Sequence, residues 1–156
     1  MTEPVAKPVS EPSQEPVDID AFLSGSPEGM GALNAKMGVQ IQEVSAQRVV
    51  GTMPVEGNTQ PYGLLHGGAS MVLAESLGSV GAAVHGHPDR LSVGVEINAT
   101  HHRSARSGVV TGTATAVHLG RSFATYEVVL TDEEDRRVCT ARITCALLAK
   151  ERYTGS

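Results

Sequence analysis

The sequence contains no tryptophan, and aromatic residues make up only 3 % of its 156 residues. It also lacks a basic excess, since 12 Lys and Arg stand against 17 Asp and Glu, a formal net charge of −5. A chain without a basic surface is a poor candidate for nucleic-acid binding. Its length suits one domain with a real core. Because aromatics are scarce, small residues and β-branched valine must fill that core.

Cysteine is equally scarce. Cys139 and Cys145 are the only two, and on one strand they would point to the same face but lie beyond disulfide reach. Among the six histidines, His101 and His102 are adjacent, so a strand would point them to opposite faces. No histidine set has the spacing of a zinc site. We therefore expect two free thiols in a reducing cytosol, no metal and no cofactor.

The first 17 residues differ in composition from the rest. Proline recurs there between Glu, Ser and Lys, and such a segment buries too little surface to offset its ordering entropy. It also lacks the basic-then-apolar pattern of a signal peptide. We expect residues 1–17 to be a disordered tail, residues 18–150 to form a single domain, and the protein to be cytoplasmic.

The longest weakly polar run extends from Gly67 to about Val84 and contains one formal charge, Glu75. Its length approaches that of a membrane span. However, an acid at the centre of a span is costly in lipid, and several serines and glycines interrupt the run. A helix that is apolar nearly all round belongs inside a protein. We predict a buried helix, with Glu75 shielded from water, and no membrane partner.

The other segments read mainly as strands. Ser26-Pro27-Glu28 is typical of a helix start. Valine-rich, alternating segments predict strands near Val39–Val44, Val49–Val55, Leu91–His101, Val109–Leu119, Ser122–Thr131 and Arg137–Leu148. The charged patch from Asp132 to Arg137 interrupts two of them and indicates a hairpin turn. One long helix against an antiparallel sheet of five to six strands is an α+β architecture.

Three features meet around the predicted long helix. Gly67 and Gly68 open it directly after His66, which leaves free backbone N–H groups at the positive end of the helix dipole. Glu75 lies mid-helix, where an unpaired carboxylate is expensive. Gln60 precedes the glycines in the same loop. Thioester hydrolysis needs donors that polarise a carbonyl, and a carboxylate that attacks it or activates water.

The spacing of these groups has a consequence for assembly. Gly67 and Glu75 are eight residues apart, which is about 12 Å along a helix. Oxyanion donors and the attacking group must both reach one reacting centre, at about 3 Å. Two antiparallel copies of the helix around a two-fold axis would bring Glu75 of one copy to Gly67 of the other. If the chemistry is thioester hydrolysis, the spacing predicts a dimer with shared sites.

Simpler interpretations of the same residues stay open. Glu75 could be a core acid paired with a basic residue of its own subunit, and His66 could serve only to hold the loop. A Gly-Leu-Leu-His-Gly-Gly loop is also found near lipase oxyanion holes, but no G-x-S-x-G nucleophile motif follows it. That hydrolase class is therefore disfavoured.

The ordered set of motifs resembles a known family. The run from Gln60 to Ser79, QPYGLLHGGASMVLAESLGS, is followed by GVEIN at 94–98, HHRSAR at 101–106 and HLGRS at 118–122. This set closely resembles the hotdog-fold thioesterases of the phenylacetate-degradation (PaaI) type, including 1,4-dihydroxy-2-naphthoyl-CoA, enterobactin-proofreading and 4-hydroxybenzoyl-CoA thioesterases. The resemblance covers roughly residues 38–148 and implies a long central helix wrapped by a curved antiparallel sheet.

The resemblance also implies catalytic roles. These are Glu75 as nucleophile or general base, Gly67 as the N–H donor to the thioester oxygen, His66 as the support of that loop, Gln60 as a residue that binds or orients the thioester, and Ser79 as the residue that orients water. Ser79 lies one helical turn after Glu75, so both share a face. Some relatives carry Thr at this position, and either hydroxyl would serve.

Substrate-binding roles follow from the same resemblance. The acyl pocket would be lined by Ser76, Gly94 and His101. Tyr62, Met71 and His101 suggest a flat aromatic or medium-length acyl group. Candidates for the phosphates of coenzyme A are Arg103, Arg106, Arg121 and Ser122, because arginine forks suit phosphate.

The function implied is hydrolysis of an acyl-CoA to free acid and CoA, which is part of the substrate. Hydroxybenzoyl, phenylacetyl, dihydroxynaphthoyl and medium acyl groups all remain open, as do the nucleophile and base roles of Glu75. The implied assembly is a homotetramer with active sites at dimer interfaces. The alternatives are a non-catalytic acyl-CoA binding or sensing module, which would not need Glu75, and an acyl-thioester hydratase or dehydratase.

Overall fold

The computed structural model describes residues 17–19, 21 and 29–150. Helix α1 spans Ala32–Met37 and helix α2 spans Gly67–Gly86. The strands are β1 (Gln40–Val44), β2 (Arg48–Pro54), β3 (Arg90–His101), β4 (Val109–Leu119), β5 (Phe123–Thr131) and β6 (Arg137–Ala149). The predicted α+β class is confirmed, and the strands begin and end within a residue or two of the predicted positions.

All six strands form one antiparallel sheet in the order β1-β2-β4-β5-β6-β3. Helix α2 crosses one face of this sheet and contacts every strand. The long strand β3 pairs with β6 on one side only and is therefore an edge of the sheet. A bulge in β3 between Gly94 and Glu96 interrupts that pairing.

Glycines allow the sheet to close tightly on α2. Leu77 projects from the helix between two strands, where a β-carbon on Gly51 would lie 2.8 Å from Leu77 Cδ2 and one on Gly112 would lie 2.5 Å from Leu77 Cδ1. On the helix itself, a β-carbon on Gly78 would overlap Ile143 Cγ2. The predicted small-residue core thus has a specific geometry, in which side chains of one layer enter gaps left by glycines in the other.

Tyr126 is the largest fully buried side chain. Its ring packs against Gly81 of α2, and its hydroxyl donates to Ala46 O at 2.7 Å, next to the β1–β2 turn. Burial raises the pKa of Tyr126 above its ordinary range. Cys139 and Cys145 are both buried free thiols, as the sequence predicted.

The predicted hairpin between β5 and β6 is also confirmed. The Asp132 carboxylate accepts from the backbone N–H groups of Glu134 and Arg136, both at 3.0 Å, and from Arg136 Nε at 2.9 Å. Asp135 takes the left-handed conformation, with φ 58°. The charged residues are therefore used to build the turn.

Two predictions fall outside the described residues. These are the body of the tail, residues 1–16, and the helix start at Ser26-Pro27-Glu28. At the tail's predicted end, the N–H of Val17 donates to Val44 O of β1 at 2.7 Å.

Helix α2 is buried on one side only. Among the described residues it is the one helix long and apolar enough to cross a membrane, but half of it is buried beneath the sheet, as in the core helix of a soluble domain. Leu73, Leu77 and Ala74 are fully buried, whereas Glu75 is exposed. Glu75 is therefore open to solvent in the single chain, because the sheet leaves its face of the helix uncovered.

Candidate active site

The N-terminus of α2 is capped by a histidine. His66 has an extended backbone, and its Nδ1 accepts from the N–H of Gly68 at 2.8 Å. Because Nδ1 is the acceptor, the neutral ring carries its proton on Nε2. The N–H of His66 donates to Asn58 O at 2.9 Å, which fixes the entry to the helix. The loop-holding role considered for His66 is therefore present in the structure.

Gly67, the first residue of α2, has no acceptor for its N–H among the described residues. This N–H lies at the positive end of the helix dipole. His101, from the end of β3, lies against Gly67, since a β-carbon there would be 2.8 Å from His101 Nε2. Glycine is thus required for this close packing, and it leaves a free donor beside a cleft.

Gln60 is held in the loop before the helix. Its side-chain Oε1 accepts from the N–H of Tyr62, and Gly63, with φ 73°, closes the turn by donating to Gln60 O at 2.9 Å. With the amide oxygen used, the amide NH₂ remains as a donor. Gln60, Gly67 and His101 all line a cavity of about 350 Å³.

Glu75 lines a different and larger cavity, of about 590 Å³. Its carboxylate makes no ion pair with any described residue. Gly94 of β3 lies beside it, because a β-carbon at Gly94 would be 2.9 Å from Glu75 Oε1. The intrasubunit ion pair that would have made Glu75 a simple core acid is thus not found among the described residues.

Ser79 lines the same cavity one turn after Glu75. Its Oγ lies 3.8 Å from Cys145 Sγ on β6, directly beneath the helix. Burial raises the pKa of the Cys145 thiol. Ser76 and Ser79, two of the serines that line the larger cavity, therefore flank the carboxylate on α2, while the neighbouring thiol stays neutral.

The two cavities share no lining residue. One contains an unpaired carboxylate with serine hydroxyls, and the other contains the free N–H of Gly67 at a helix N-terminus. The single chain does not bring these groups together, in agreement with the separation expected from the helix rise.

Comparisons with known proteins show the family to which the chain belongs. The sequence profile described as the thioesterase superfamily matches residues 62–139. The proofreading thioesterase EntH of Klebsiella pneumoniae is 43 % identical over 129 residues, 82 % of this chain and 93 % of its own. The chain belongs to the thioesterase superfamily.

Further relatives of this thioesterase agree in sequence and structure. The 1,4-dihydroxy-2-naphthoyl-CoA hydrolase of Escherichia coli is 41 % identical over 77 % of this chain and 89 % of its own. A crystal structure of a mutant of thioesterase PA1618 from Pseudomonas aeruginosa has a TM-score of 0.77 at 33 % identity, covering 87 % of this chain and 97 % of that one. The predicted hotdog fold is confirmed, and the protein is a thioester hydrolase.

The other predicted site residues of this thioesterase lie partly beside Glu75, partly beside Gly67 and partly outside both cavities. Gly94 and Ser76 adjoin Glu75, while His101 lies instead beside Gly67. Tyr62 is 84 % exposed, and neither Tyr62 nor Met71 lines either of the two cavities. In the single chain these two side chains do not contribute to the acyl pocket.

The candidate phosphate-binding residues are also separated. Arg103 lines the smaller cavity beside Gly67, whereas Arg106 lines a pocket with the acidic β5–β6 turn. Arg121 and Ser122 are exposed in the β4–β5 turn, where His85 Nε2 contacts Gly120 O at 2.9 Å. Among the described residues, no three His, Cys, Asp or Glu side chains are grouped as metal ligands.

The sequence analysis missed several residues of the larger cavity. Asn34 of α1 reaches it, as do His87 just after α2, Arg90 at the start of β3 and Lys150 just after β6. No local signal marks Asn34, because the short helix that carries it packs near Glu75 only in the folded chain. His87 and Arg90 follow the predicted helix directly in the sequence, but they match no motif that would have indicated a role.

Proposed function

We propose that this thioesterase hydrolyses aromatic or medium-length acyl-CoA thioesters, with Glu75 as its acting carboxylate. The observation that carries the proposal is an unpaired, accessible Glu75 in a cavity of about 590 Å³. That volume suits a ring-sized acyl group and falls within the range of ligand pockets. Met30, Val80 and Leu91 supply apolar walls. The relatives named 1,4-dihydroxy-2-naphthoyl-CoA hydrolase support an aromatic substrate.

Two reaction routes fit this carboxylate. As general base, Glu75 takes a proton from water, the hydroxide adds to the carbonyl carbon, and the C–S bond breaks to release the CoA thiolate, which is then protonated. As nucleophile, Glu75 forms an anhydride with the acyl group as the C–S bond breaks, CoA leaves as its thiolate and takes a proton from solvent, and water then hydrolyses the anhydride to the free acid and the Glu75 carboxylate. In either route Ser79 would orient the water, and the N–H of Gly67 would stabilise the negative oxygen.

The active site would be shared by two copies of the chain. Strand β3 is a 12-residue sheet edge with Val93 46 % and Val95 55 % exposed. Long apolar edges of this kind are normally paired or covered. Pairing of β3 with its two-fold equivalent would set the two α2 helices antiparallel, and would bring Gly67, His66 and Gln60 of one copy to Glu75 of the other.

The proposal also covers the binding of the CoA phosphates, the assembly of the protein and its location in the cell. Arg103, beside Gly67, is the phosphate candidate best supported by its position, with Arg106, Arg121 and Ser122 retained as outer candidates. A second interface, giving a dimer of dimers, is supported by Val117 and Phe123, which are 64 % and 50 % exposed. Two free thiols support a cytoplasmic location.

The test is release of free thiol from benzoyl-, phenylacetyl- and octanoyl-CoA by the purified protein. Glu75→Gln keeps the size of the side chain but removes its charge, and should lower kcat/KM by about 10² or more. Glu56→Gln, at an exposed loop glutamate, is the matched control and should equal wild type. Equal thiol release by Glu75→Gln and wild type would remove Glu75 from the mechanism, whereas no thiol release by wild type would favour the non-catalytic binding module.

Light scattering on the same samples tests the shared site. We expect dimers or tetramers. A monomer that still turns over substrate would contradict a site built from two copies.

A further inference from the structure

Asn34 brings helix α1 into the wall of the larger cavity. It lines that cavity together with Glu75 and Ser76, although it is 42 residues from Ser76 in sequence. Gly38 follows the last residue of helix α1; it has φ 70° and donates to Ala35 O, which caps the end of the helix. A polar side chain from outside the long helix therefore lies one residue away from the proposed catalytic carboxylate.

Hydrogen bonds fix the orientation of this amide. Asn34 Nδ2 donates to Met30 O at 2.7 Å, and Asn34 Oδ1 accepts from Ser76 Oγ at 2.7 Å. Turning the amide over would place its oxygen against the carbonyl of Met30, which offers no hydrogen. The bond to Met30 therefore determines that Asn34 presents an acceptor to Ser76.

The Ser76 hydroxyl has a single hydrogen, and two acceptors surround it. Its Oγ lies 2.7 Å from Asn34 Oδ1 and 2.8 Å from Val72 O, one turn earlier in α2. Whichever oxygen receives the hydrogen, none is left for a ligand. Ser76 Oγ can thus only accept from a molecule in the cavity, while Asn34 Nδ2 keeps one hydrogen that no described residue accepts.

This pair offers what a hydroxyl group needs. A ligand hydroxyl can donate to Ser76 Oγ and accept from the remaining Asn34 N–H. The same cavity has apolar walls at Val80, Ala83 and Leu91 and further polar side chains, among them Ser92, so variants of Asn34 and Ser76 test whether this pair is the one that binds the hydroxyl. An acyl group without the hydroxyl would leave these polar groups unpaired when it displaces water, and unpaired polar groups in a site are the strongest basis for rejecting an analogue.

We propose that Asn34 is a specificity-determining residue, which orients Ser76 so that the pair selects acyl groups bearing a hydroxyl over the same acyl groups without one. The inference rests on the proposed function, since it places the acyl group in the Glu75 cavity. It assigns a role to helix α1, which the thioesterase motifs of the chain do not include.

The experiment compares kcat/KM for benzoyl-CoA with kcat/KM for its 2-, 3- and 4-hydroxy derivatives. Wild type should prefer at least one hydroxy isomer about tenfold, the effect of one well-formed hydrogen bond. Asn34→Ala and Ser76→Ala should each bring that ratio to within about twofold of one, and the double variant should lower it no further, because the two residues act as a unit. A ratio of two substrates on one protein is not altered by a change in stability.

Lys36→Ala is the matched control, because Lys36 is exposed on the same helix and lines no part of this cavity. Its ratio should equal that of wild type. A wild-type enzyme without preference, or a ratio unchanged in Asn34→Ala, would overturn the inference while leaving the hydrolase intact. If none of the thioesters is hydrolysed, or Glu75→Gln is fully active, the proposed function itself fails, and the inference fails with it.

Discussion

The two halves of the candidate site differ in where their polar groups find partners. At the start of α2, His66 bonds Gly68 and Gln60 bonds Tyr62, so each interaction closes within two residues. Around Glu75, the neighbours come from distant parts of the chain, such as Gly94 of β3. The capping and turn hydrogen bonds of the first half are thus set by local sequence, although His101 of β3 packs against Gly67, whereas the surroundings of Glu75 depend on how the whole fold closes.

The halves also differ in what they leave unsatisfied. The helix start leaves one donor, the N–H of Gly67, while the helix centre leaves a carboxylate without a cationic partner among the described residues. These are complementary deficits, a free donor and a free negative charge. Each half is therefore incomplete in the single chain, and the pairing of two copies would complete both.

The largest expected effect tests the free donor. Gly67→Pro removes the N–H, yet proline suits the first position of a helix, and the extended backbone of His66 suits a residue before proline. Loss of one oxyanion donor should lower kcat by about 10² to 10³. Gly67→Ala is the control, since it adds a β-carbon against His101 as well but keeps the N–H. If both variants lose activity equally, crowding by His101 explains the loss and the donor role is contradicted.

Mixing inactive variants sharpens the same comparison. Glu75→Gln and Gly67→Pro, unfolded and refolded together, should regain about a quarter of wild-type activity. Half of the random dimers are then mixed, and each holds one intact site of its two. No recovery, with mixed dimers shown by native mass spectrometry, would mean that both residues serve a site within one chain.

The features that could be predicted from the sequence are those whose interaction partners lie close by in the chain. The His66-Gly67-Gly68 start was predictable, because an N-terminal cap depends on neighbours in the chain. The strands were predictable because alternating valines match a sheet with one buried face. The separation of Gly67 from Glu75 followed from the helix rise alone.

The exposure of Glu75 and the role of Asn34 could not be predicted in this way. Helix α2 looks uniformly apolar in sequence, and only the sheet order shows that the strand beside Glu75, β3, is the edge of the sheet, so that no further strand covers that face. The hydrogen bond between Asn34 and Ser76 spans 42 residues and has no local pattern. Likewise, Tyr62 belongs to the family-like motif, but it projects away from both cavities.

A smaller effect is expected from Gly94→Ala, which tests the half built by the fold. The new β-carbon would lie 2.9 Å from Glu75 Oε1, so the flexible carboxylate must move. A displacement of this kind should lower kcat by about tenfold to a hundredfold, while the melting temperature changes little. In the Glu75→Gln background the same substitution should not lower kcat any further. A full additional loss there would show that Gly94 acts through the substrate pocket, independently of the carboxylate.

The smallest effect is expected from substitutions of His66, which distinguish its role as a helix cap from a role in the reaction. Asparagine is a strong N-cap residue, and its Oδ1 is as many bonds from Cα as the Nδ1 that now accepts from Gly68. His66→Asn should therefore retain the cap and most of the activity, whereas His66→Ala should lose about 1 kcal/mol of unfolding free energy. Urea unfolding and thiol release measure the two quantities. If His66→Asn is as stable as wild type but as slow as His66→Ala, the imidazole itself takes part in the reaction, since the loop geometry alone would then not account for its effect.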